Sequence, residues 1–333
     1  MEDYISSVSI KNFKSIKDLS FDCKKINIFI GKPNVGKSNI LEAMSLFALP
    51  MAMNLDLSKF VRIRTMDNLF TENNTKYPIE VKIFSNKAND NISAFLSAHS
   101  NGYELNIGRN VNNLKRLYYN SNGSLQSQNH NDYQSEILNY KFEKGIDYTQ
   151  SFHNYLLPPN GPNLVSIVQG NRQLFNEVQD FFEENGFELL ILVGKNEFVI
   201  QKRIEKGVYQ FPFELMADTL QRIIFYLAAI ESNHGASIIF EEPETHSFPP
   251  YIRIIAKRIC MDESNQYFIS THSPYLLNTI IEETDIEDIN VFVTYFEDYQ
   301  TKVKALSKDE LRGILDDSID AFFNLDRFTP VLK

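Results

Sequence analysis

Residues Gly31-Lys32-Pro33-Asn34-Val35-Gly36-Lys37-Ser38 match the phosphate-binding loop (P-loop) pattern without a gap. The apolar run 26–30 before them predicts a buried strand, and residues 38–46 after them predict an amphipathic helix. The pattern forms a nucleotide site only in this strand–loop–helix order. The stretch therefore predicts an α/β fold that binds a nucleotide.

The residue types of the loop fit the chemistry of a triphosphate. Concentrated negative charge needs several backbone N–H groups and a helix N-terminus, and Gly31 and Gly36 let the chain wrap that closely. We expect Lys37 to contact the β- and γ-phosphates and the Ser38 hydroxyl to ligate Mg²⁺. The expected cofactors are therefore ATP and Mg²⁺.

Composition limits the class of protein. The chain has 333 residues, of which 43% are hydrophobic, and a net charge of −10, which excludes a surface that is basic all over. Cys23 and Cys260 lie far apart and fit no ligand spacing, so we expect two buried thiols in a reducing compartment. No apolar run is long enough to span a membrane and residues 1–20 hold no signal segment, which predicts an unprocessed cytoplasmic protein.

Changes in pattern along the chain predict three segments. Residues 1–78 form an N-terminal lobe with the P-loop, and residues 79–160 contain short strands between Asn-, Ser- and Gly-rich turns, which predicts a β-rich insertion. Residues 161–333 alternate strand and helix patterns and form a C-terminal lobe. This alternation predicts a largely parallel sheet that helices cover on both faces.

A second half of the site is predicted at residues 238–242. Ile238-Ile239-Phe240 reads as a buried strand that ends in Glu241 and Glu242. A strand tip beside the P-loop would place Glu241 near Mg²⁺ and Glu242 near the water that attacks the γ-phosphate. Solvated acids at a strand end are the commoner meaning of such a pair, but the upstream P-loop favours the catalytic role.

Thr271-His272-Ser273 follows the next apolar strand and predicts a further site residue. We expect His272 to contact the γ-phosphate, and the alternative is a histidine that only caps the strand end. Ser273 and Pro274 suit the N-cap and first position of a helix. His246 follows Glu242 by four residues, but Pro243 interrupts any helix, so we expect a packing or hydrogen-bonding role rather than a metal site.

Four motifs together resemble an ABC-type ATPase head of the SMC/RecF-like group, and most of all the compact bacterial AAA ATPases related to the overcoming-lysogenisation-defect (OLD) family. These motifs are Asn12-Phe13-Lys14-Ser15, the loop 31–38 with Asn39 to Ala43, Glu241 to His246, and Thr271 to Pro274. The resemblance implies a P-loop NTPase with a mixed sheet flanked by helices, and it places Lys14 and Asn39 near the nucleotide. For Lys14 the favoured alternative is an ordinary exposed lysine. It also implies a homodimer in which two heads sandwich two ATP molecules, with higher oligomers left open.

The chain departs from this group in two ways. The signature segment, which usually contains a Ser-Asp-Gly or Ser-Gly-Gly run, reads Glu214 to Gln221 here, and Thr219 takes the place of the γ-phosphate-contacting serine. Slow hydrolysis is therefore expected. Only about 60 residues follow the His272 segment, so we expect no Toprim nuclease domain in this chain.

These features lead to one main functional hypothesis and two alternatives. The main one is an ATP-hydrolysing dimeric sensor or regulator in bacterial anti-phage defence, which acts on a separately encoded nuclease or toxin. The first alternative is a DNA-repair ATPase that resembles RecF and binds DNA directly through lysines 11, 14, 17, 24 and 25. The second is a structural module that binds ATP without hydrolysing it.

Overall fold

The computed structural model describes residues 5–86, 91–109, 114–129, 131, 133–184, 186–316 and 321–329. These residues form strands β1 (Ile5–Phe13), β2 (Ile16–Asp22), β3 (Ile26–Ile30), β4 (Ile79–Ser85), β5 (Ile92–His99), β6 (Gly102–Gly108), β7 (Leu114–Tyr119), β8 (Leu125–Gln128), β9 (Ile137–Tyr140), β10 (Glu188–Leu192), β11 (Glu197–Ile204), β12 (Gly207–Pro212), β13 (Ser237–Glu241), β14 (Gln266–Ser270), β15 (Ile289–Glu297) and β16 (Gln300–Ala305). The helices are α1 (Lys37–Ser45), α2 (Leu164–Gly170), α3 (Arg172–Glu183), α4 (Asp218–Ser232), α5 (Pro249–Met261), α6 (Pro274–Glu283), α7 (Lys308–Asp316) and α8 (Leu325–Phe328). Short 3₁₀ turns cover Leu46–Met51, Leu57–Lys59, Met66–Leu69, Thr71–Asn73, Phe213–Leu215 and Ile286–Asp288.

A six-stranded mixed sheet forms the centre, in the order β16-β15-β3-β14-β13-β9. All neighbours in it pair in parallel except β15 and β16, which form an antiparallel hairpin. The P-loop strand β3 is therefore buried between β14 and β15, and its five residues are all inaccessible. This arrangement matches the predicted parallel sheet, because buried parallel strands need apolar residues on both faces.

The two faces of the central sheet pack against different layers. Alternate residues of β3 separate into two clusters: Ile28 joins helices α4, α5 and α6, whereas Phe29 joins α1 and a second sheet. This second sheet is antiparallel, with seven strands in the order β2-β1-β4-β5-β6-β7-β8. Helix α1, which follows the P-loop, is thus held between two sheets.

The predicted β-rich segment 79–160 is divided between these sheets. Its strand β4 pairs with β1, so β4 to β8 extend the sheet that β1 and β2 begin, while β9 forms an edge of the central sheet. The predicted boundary at residue 78 therefore lies within one sheet. Residues 110–113 of the predicted turns lie outside the described residues.

The side chain of Gln266, at the start of β14, joins the two sheets. Its amide nitrogen donates to the carbonyls of Ile5 (2.9 Å) and Lys24 (2.8 Å), and its carbonyl accepts from the Ile5 N–H at 2.9 Å. Gln266 is fully buried, so these bonds form without competition from water.

The helices of the C-terminal lobe lie close to their predicted positions. The apolar pattern predicts a helix from about Leu215 to Glu231, but α4 begins three residues later, at Asp218, because Phe213–Leu215 forms a separate 3₁₀ turn. The Ser273 hydroxyl accepts from the Leu276 N–H at 3.3 Å and Pro274 is the first residue of α6, which confirms the predicted cap. Both cysteines are free, but each is partly exposed, so the expectation of full burial was wrong.

Among the described residues, no helix combines the length and apolar character that crossing a membrane requires.

Candidate active site

The P-loop adopts a backbone that only glycine tolerates at two positions. Gly31 has φ of +153° and Gly36 has φ of +102°. A Cβ atom on Gly36 would lie 2.0 Å from the Thr301 Oγ1, and one on Gly31 would lie 2.4 Å from the Thr294 carbonyl oxygen. The glycines therefore allow the hairpin β15–β16 to approach the loop closely.

Side chains from distant parts of the chain hold this loop in place. The Thr301 hydroxyl, on β16, donates to the Val35 carbonyl at 2.9 Å and lies 2.6 Å from the Ser15 hydroxyl. Asn39 donates from its side-chain nitrogen to Ser15 at 2.7 Å. Ser15 and Thr301 were not predicted as site residues, because nothing local in the sequence shows a contact across 286 positions.

Lys37 is the first residue of α1 and is almost fully buried. Its Nζ donates to the carbonyl oxygens of Gly31 (2.9 Å) and Lys32 (3.0 Å). Burial lowers the pKa of Lys37, and the charges of Glu242 and Glu244 act in the opposite direction. Its ammonium therefore faces the P-loop and the acidic strand end at the same time.

One cavity of about 300 Å³ joins the two halves of the predicted site. Its wall is formed by Pro33, Asn34, Gly36, Lys37, Ser38, Asn39, Arg62, Glu242 and His272. A larger cavity of about 680 Å³ near residues 151–172 and 231–234 lacks the P-loop and strand-end residues. We assign the site to the smaller cavity because cationic, anionic and hydroxyl groups converge there.

Four further predicted residues neighbour the wall residues in sequence but are not on the wall itself: Gly31, Lys32, Val35 and Glu241. Gly31 packs closely against the Thr294 carbonyl, and the Val35 carbonyl accepts a hydrogen bond from Thr301. The Lys32 ammonium bonds to Asp326 at 2.6 Å. Glu241 ends β13 opposite Ser270 of β14. We expected the strand that ends in Glu241 to lie beside the P-loop strand, but β14 lies between β13 and β3. The segment after β14, which contains His272, therefore lies between the acidic strand end and the P-loop.

Glu242 leaves β13 in an unusual backbone conformation. Its φ is +46°, and its N–H donates to the Ser270 carbonyl at 2.9 Å. A left-handed conformation costs a residue other than glycine about 1–3 kcal/mol and is concentrated at functional sites. The bend places the Glu242 carboxylate in the cavity.

His272 pairs with Glu242 across the cavity. The His272 Nε2 lies 3.5 Å from the Glu242 Oε1, and about 40% of each side chain is exposed. Partial burial lowers the pKa of His272, Lys37 lowers it further, and Glu242 raises it. The structure thus brings together Lys37, Glu242 and His272, which are more than 200 positions apart in the sequence at their furthest.

Glu244 forms a contact that the sequence did not predict. Its Oε1 accepts a hydrogen bond from the Thr271 hydroxyl at 2.8 Å and another from the His272 N–H at 2.6 Å. Burial raises the pKa of the Glu244 carboxyl. Glu244 therefore ties the loop after β13 to the turn after β14.

Lys14 lies behind the wall and not on it. Its Nζ pairs with Glu42 and donates to the Arg62 carbonyl at 2.8 Å. Glu42 is buried and also accepts from the Arg62 Nε at 2.6 Å, while the Arg62 Nη2 lies 3.8 Å from Glu241. In this structure Lys14 supports the pocket through Glu42 and Arg62, and any direct contact with nucleotide stays a prediction.

Arg62 is a charged wall residue in the irregular segment 51–78, which the sequence suggested as a region returning toward the nucleotide without giving Arg62 a role. In the structure this return depends on the buried Glu42 of α1, which accepts from the Arg62 N–H and Nε. A basic residue in an irregular segment is by itself no signal of a site.

Thr219 lies away from the cavity of its own chain. Its hydroxyl donates to the His246 carbonyl at 3.0 Å, and the neighbouring Asp218 pairs with Lys144 at 2.6 Å. His246 has a φ of +55° and is exposed, and only its backbone carbonyl takes part in this contact, so the role of its side chain stays a prediction. A role for Thr219 in nucleotide binding therefore needs a second copy of the chain.

The donors present suit a magnesium nucleotide. Among the described residues, the hydrogen bonds of the buried Lys37 ammonium go to two backbone carbonyls. Ser38 and Glu241 carry oxygen atoms of the kind that Mg²⁺ prefers as ligands. Within the described part of the chain, no cluster of three or more His, Cys, Asp or Glu side chains could hold a metal alone. An ion here would need phosphate oxygens or water to complete its shell, which is the usual state of Mg²⁺ in nucleotide sites.

Comparison with known proteins supports this assignment. Residues 4–164 match the family model of the AAA ATPase domain. The chain is 21% identical over 361 aligned residues to a Helicobacter pylori protein named ATP/GTP phosphatase, with 92% of this chain and 93% of that protein covered. It is also 30% identical over 95 residues to an uncharacterised protein of Methanocaldococcus jannaschii, which covers 24% of this chain and 42% of that protein.

Two solved structures share the fold. The Smc head bound to the C-winged helix domain of ScpA has a TM-score of 0.57 and 17% identity, and covers 92% of this chain and 99% of that one. The Smc head with an extended coiled coil, bound to the C-terminal domain of ScpA derived from Pyrococcus furiosus, has a TM-score of 0.56 and 15% identity, covering 95% and 99%. With the P-loop geometry above, these two structures show that the chain has a P-loop NTPase fold of the ABC-ATPase type, as found in Smc heads.

Proposed function

We propose that this chain binds MgATP in the cavity described above and hydrolyses it slowly, as a switch. The observation that carries the proposal is the single cavity lined by Lys37, Ser38, Glu242 and His272. Two motifs that are about 200 positions apart contribute opposite charges to it, which a structural role alone does not require. The Helicobacter pylori relative named ATP/GTP phosphatase supports the same chemistry.

Each residue has a distinct task in this proposal. Lys37 exchanges its carbonyl partners for phosphate oxygens when ATP binds, so its charge moves from the loop to the ligand. Ser38 and Glu241 would hold Mg²⁺, which would neutralise charge on the phosphates. Glu242 orients the attacking water and accepts its proton, and His272 contacts the γ-phosphate from the other side.

Arg62 adds a positive charge to the wall from the same chain. Its guanidinium is fixed by Glu42 and lies near Glu241, so it enters the pocket in a defined orientation. A guanidinium at this place would offset phosphate charge as Lys37 does.

The position of Thr219 supports action as a homodimer. Thr219 and Asp218 lie outside their own cavity, so a sandwich of two chains would bring them to the partner's nucleotide. Thr219 has one hydroxyl and no neighbouring glycine, which is the reason we propose slow turnover. The proposal includes the homodimer and leaves assembly into higher oligomers open.

We place this switch in bacterial anti-phage defence, with a separately encoded nuclease or toxin as effector. ATP binding would shift an open–closed equilibrium that the effector recognises. The structural neighbours are bound to domains of ScpA, so heads of this fold do carry protein partners. That likeness supports a protein partner in general and leaves its identity to the proposal.

Direct DNA binding through the N-terminal lysines is less favoured. Lys11 lies 3.5 Å from Asp18, Lys17 lies 3.0 Å from Glu72, and Lys14 pairs with Glu42. Lys24 donates to the carbonyls of Ile286 and Ile289. Four of the five lysines therefore have partners already, which reduces the charge available to phosphates of DNA.

The test compares ATP turnover and dimer formation in three proteins. Lys37→Ala should abolish ATP binding and turnover, because it removes the buried ammonium. Glu242→Gln should bind ATP but release no phosphate, and should accumulate as a dimer that light scattering detects. Turnover at the wild-type rate in both variants would overturn the proposal.

A further inference from the structure

The Glu244 side chain uses only one of its two oxygens. Its Oε1 accepts from both the Thr271 hydroxyl and the His272 N–H. Its Oε2 is buried and has no hydrogen-bond partner among the described residues. An ionised carboxylate rarely leaves a buried oxygen without a partner, because the charge would lose its hydration with nothing in return.

The surroundings of Glu244 make it the link between two parts of the pocket. It lies two residues after Glu242, and its two donors belong to the segment that carries the His272 ring. Glu242 and His272 face each other at 3.5 Å, so a shift of the turn at 271–273 would change that distance directly. The Thr271 hydroxyl also accepts from the Ser273 N–H at 2.9 Å, so the Glu244 contact continues into the cap of α6.

We propose that Glu244 is a positioning residue that fixes His272 opposite Glu242, and that it acts through a single acceptor oxygen and not through its charge. This inference rests on the proposed ATPase function, since it concerns the same pocket. It predicts that the amide Gln, which keeps one acceptor oxygen and has almost the same shape, can replace Glu244.

The electrostatics of the position agree with this reading of the geometry. Burial raises the pKa of Glu244, and the nearby Glu242 raises it too, while the hydrogen bonds from Thr271 and His272 act against that rise. A neutral carboxyl with its proton on Oε2 would leave Oε1 as the acceptor that the structure shows. Glu244 would then serve as a neutral acceptor for the two donors of the turn.

Four variants test the proposal by ATP turnover. Glu244→Ala should lower kcat by about tenfold to a hundredfold, because a misplaced group costs this much, while KM changes by less than about twofold. Glu244→Gln should stay within about threefold of the wild-type kcat. Glu242→Gln is the matched control, since the same exchange two residues earlier should stop turnover. Thr271→Val removes one of the two donors and should have a smaller effect than Glu244→Ala.

A second measurement does not depend on turnover. The His272 N–H should exchange slowly with solvent in the wild type and in Glu244→Gln, and about tenfold faster in Glu244→Ala. Hydrogen exchange of nucleotide-free protein shows this, and thermal unfolding shows whether Glu244→Ala is still folded. If wild-type turnover is absent but the exchange pattern holds, the proposed function fails and the contact stands.

Two results would overturn the inference itself. A Glu244→Gln protein as inactive as Glu242→Gln would mean that the charge of Glu244 is needed. A folded Glu244→Ala protein with wild-type kcat and an unchanged exchange rate at His272 would mean that Glu244 positions nothing.

Discussion

His272 has charged neighbours that move its pKa in opposite directions. Burial and Lys37 lower this pKa below its ordinary value of 6.5, and Glu242 raises it. The neutral imidazole is therefore the form present near pH 7, and it leaves Glu242 free to accept a proton. Because the pKa of His272 is lower in the folded protein than in the unfolded chain, the unfolded chain binds this proton more readily. His272 therefore reduces the free energy of unfolding as the pH falls below about 6.5.

These causes predict opposite shifts for two substitutions. Lys37→Met should raise the pKa of His272, because a positive charge is removed, and Glu242→Gln should lower it, because a negative charge is removed. NMR titration of the histidine ring signals measures both shifts, and His272→Gln identifies the signal among the six histidines. Shifts in the same direction in both variants would contradict the geometry of the pocket.

The single residues of the site were predictable where the signal is local. The P-loop residues, Glu242 and His272 each follow a recognisable strand, so their types and spacing indicated the chemistry. Arg62 and Ser15 reach the site through contacts that cross long stretches of chain. Glu244 was visible as part of a motif, but its task depends on a turn 27 positions later.

At the scale of elements, the P-loop depends on strand β16. A Cβ atom on Gly36 would lie only 2.0 Å from the Thr301 hydroxyl oxygen, so the P-loop and the hairpin β15–β16 can pack this closely only because residue 36 is a glycine. Thr301 is fully buried and bonds to the Val35 carbonyl at 2.9 Å. The support of the phosphate site therefore comes from the opposite end of the chain.

This fit predicts that Gly36→Ala is strongly destabilising. The added methyl meets Thr301 at 2.0 Å at a φ of +102°, so we expect a loss of more than about 2 kcal/mol in the free energy of unfolding. Gly207→Ala is the matched control, because no atom lies within 4 Å of its Cβ position, and it should change stability by less than about 0.5 kcal/mol. Urea unfolding of both variants measures the difference, and equal stability would disprove the role of the close contact.

Element positions were predictable to different degrees. The sequence pattern predicts a helix near Pro249 to Cys260 and a strand from Gln266 to Ser270, and α5 and β14 lie within one residue of these bounds. The pairing of β9 with β13 and of β4 with β1 has no local signature, because register depends on which apolar faces meet. Sequence therefore indicated strands in this region without showing which sheet each one joins.

At the scale of the molecule, the proposed dimer predicts complementation between two inactive variants. Lys37→Ala disables a chain's own nucleotide site, and Thr219→Glu would place a negative charge against the partner's γ-phosphate. A mixed dimer has one site with neither change. Since half of randomly mixed dimers are mixed and each has one intact site, turnover should recover to about a quarter of the wild-type value.

The measurement is phosphate release from an equimolar mixture of the two variants after they exchange subunits. Each variant alone is the control and should show almost no release. No recovery in the mixture, with mixed dimers shown to be present, would exclude a nucleotide site shared between chains.

The overall architecture was predictable in class and is confirmed by the two Smc head structures. Alternating strands and helices after residue 161 indicated the central parallel sheet, and the P-loop indicated which strand lies inside it. The antiparallel layer was expected as an insertion, and its continuity with β1 and β2 appears only when the strands are paired.

Strand β14 makes a distinct contact at each end. At the first residue of β14, Gln266 bonds to the backbone of Ile5 in the antiparallel sheet. After the last residue of β14, the turn that contains His272 lines the proposed nucleotide cavity. β14 has only five residues, all of them buried, and it connects these two contacts directly. Any displacement that a γ-phosphate imposes on His272 would be carried to the amino-terminal layer on the far side, where an outside protein could sense it.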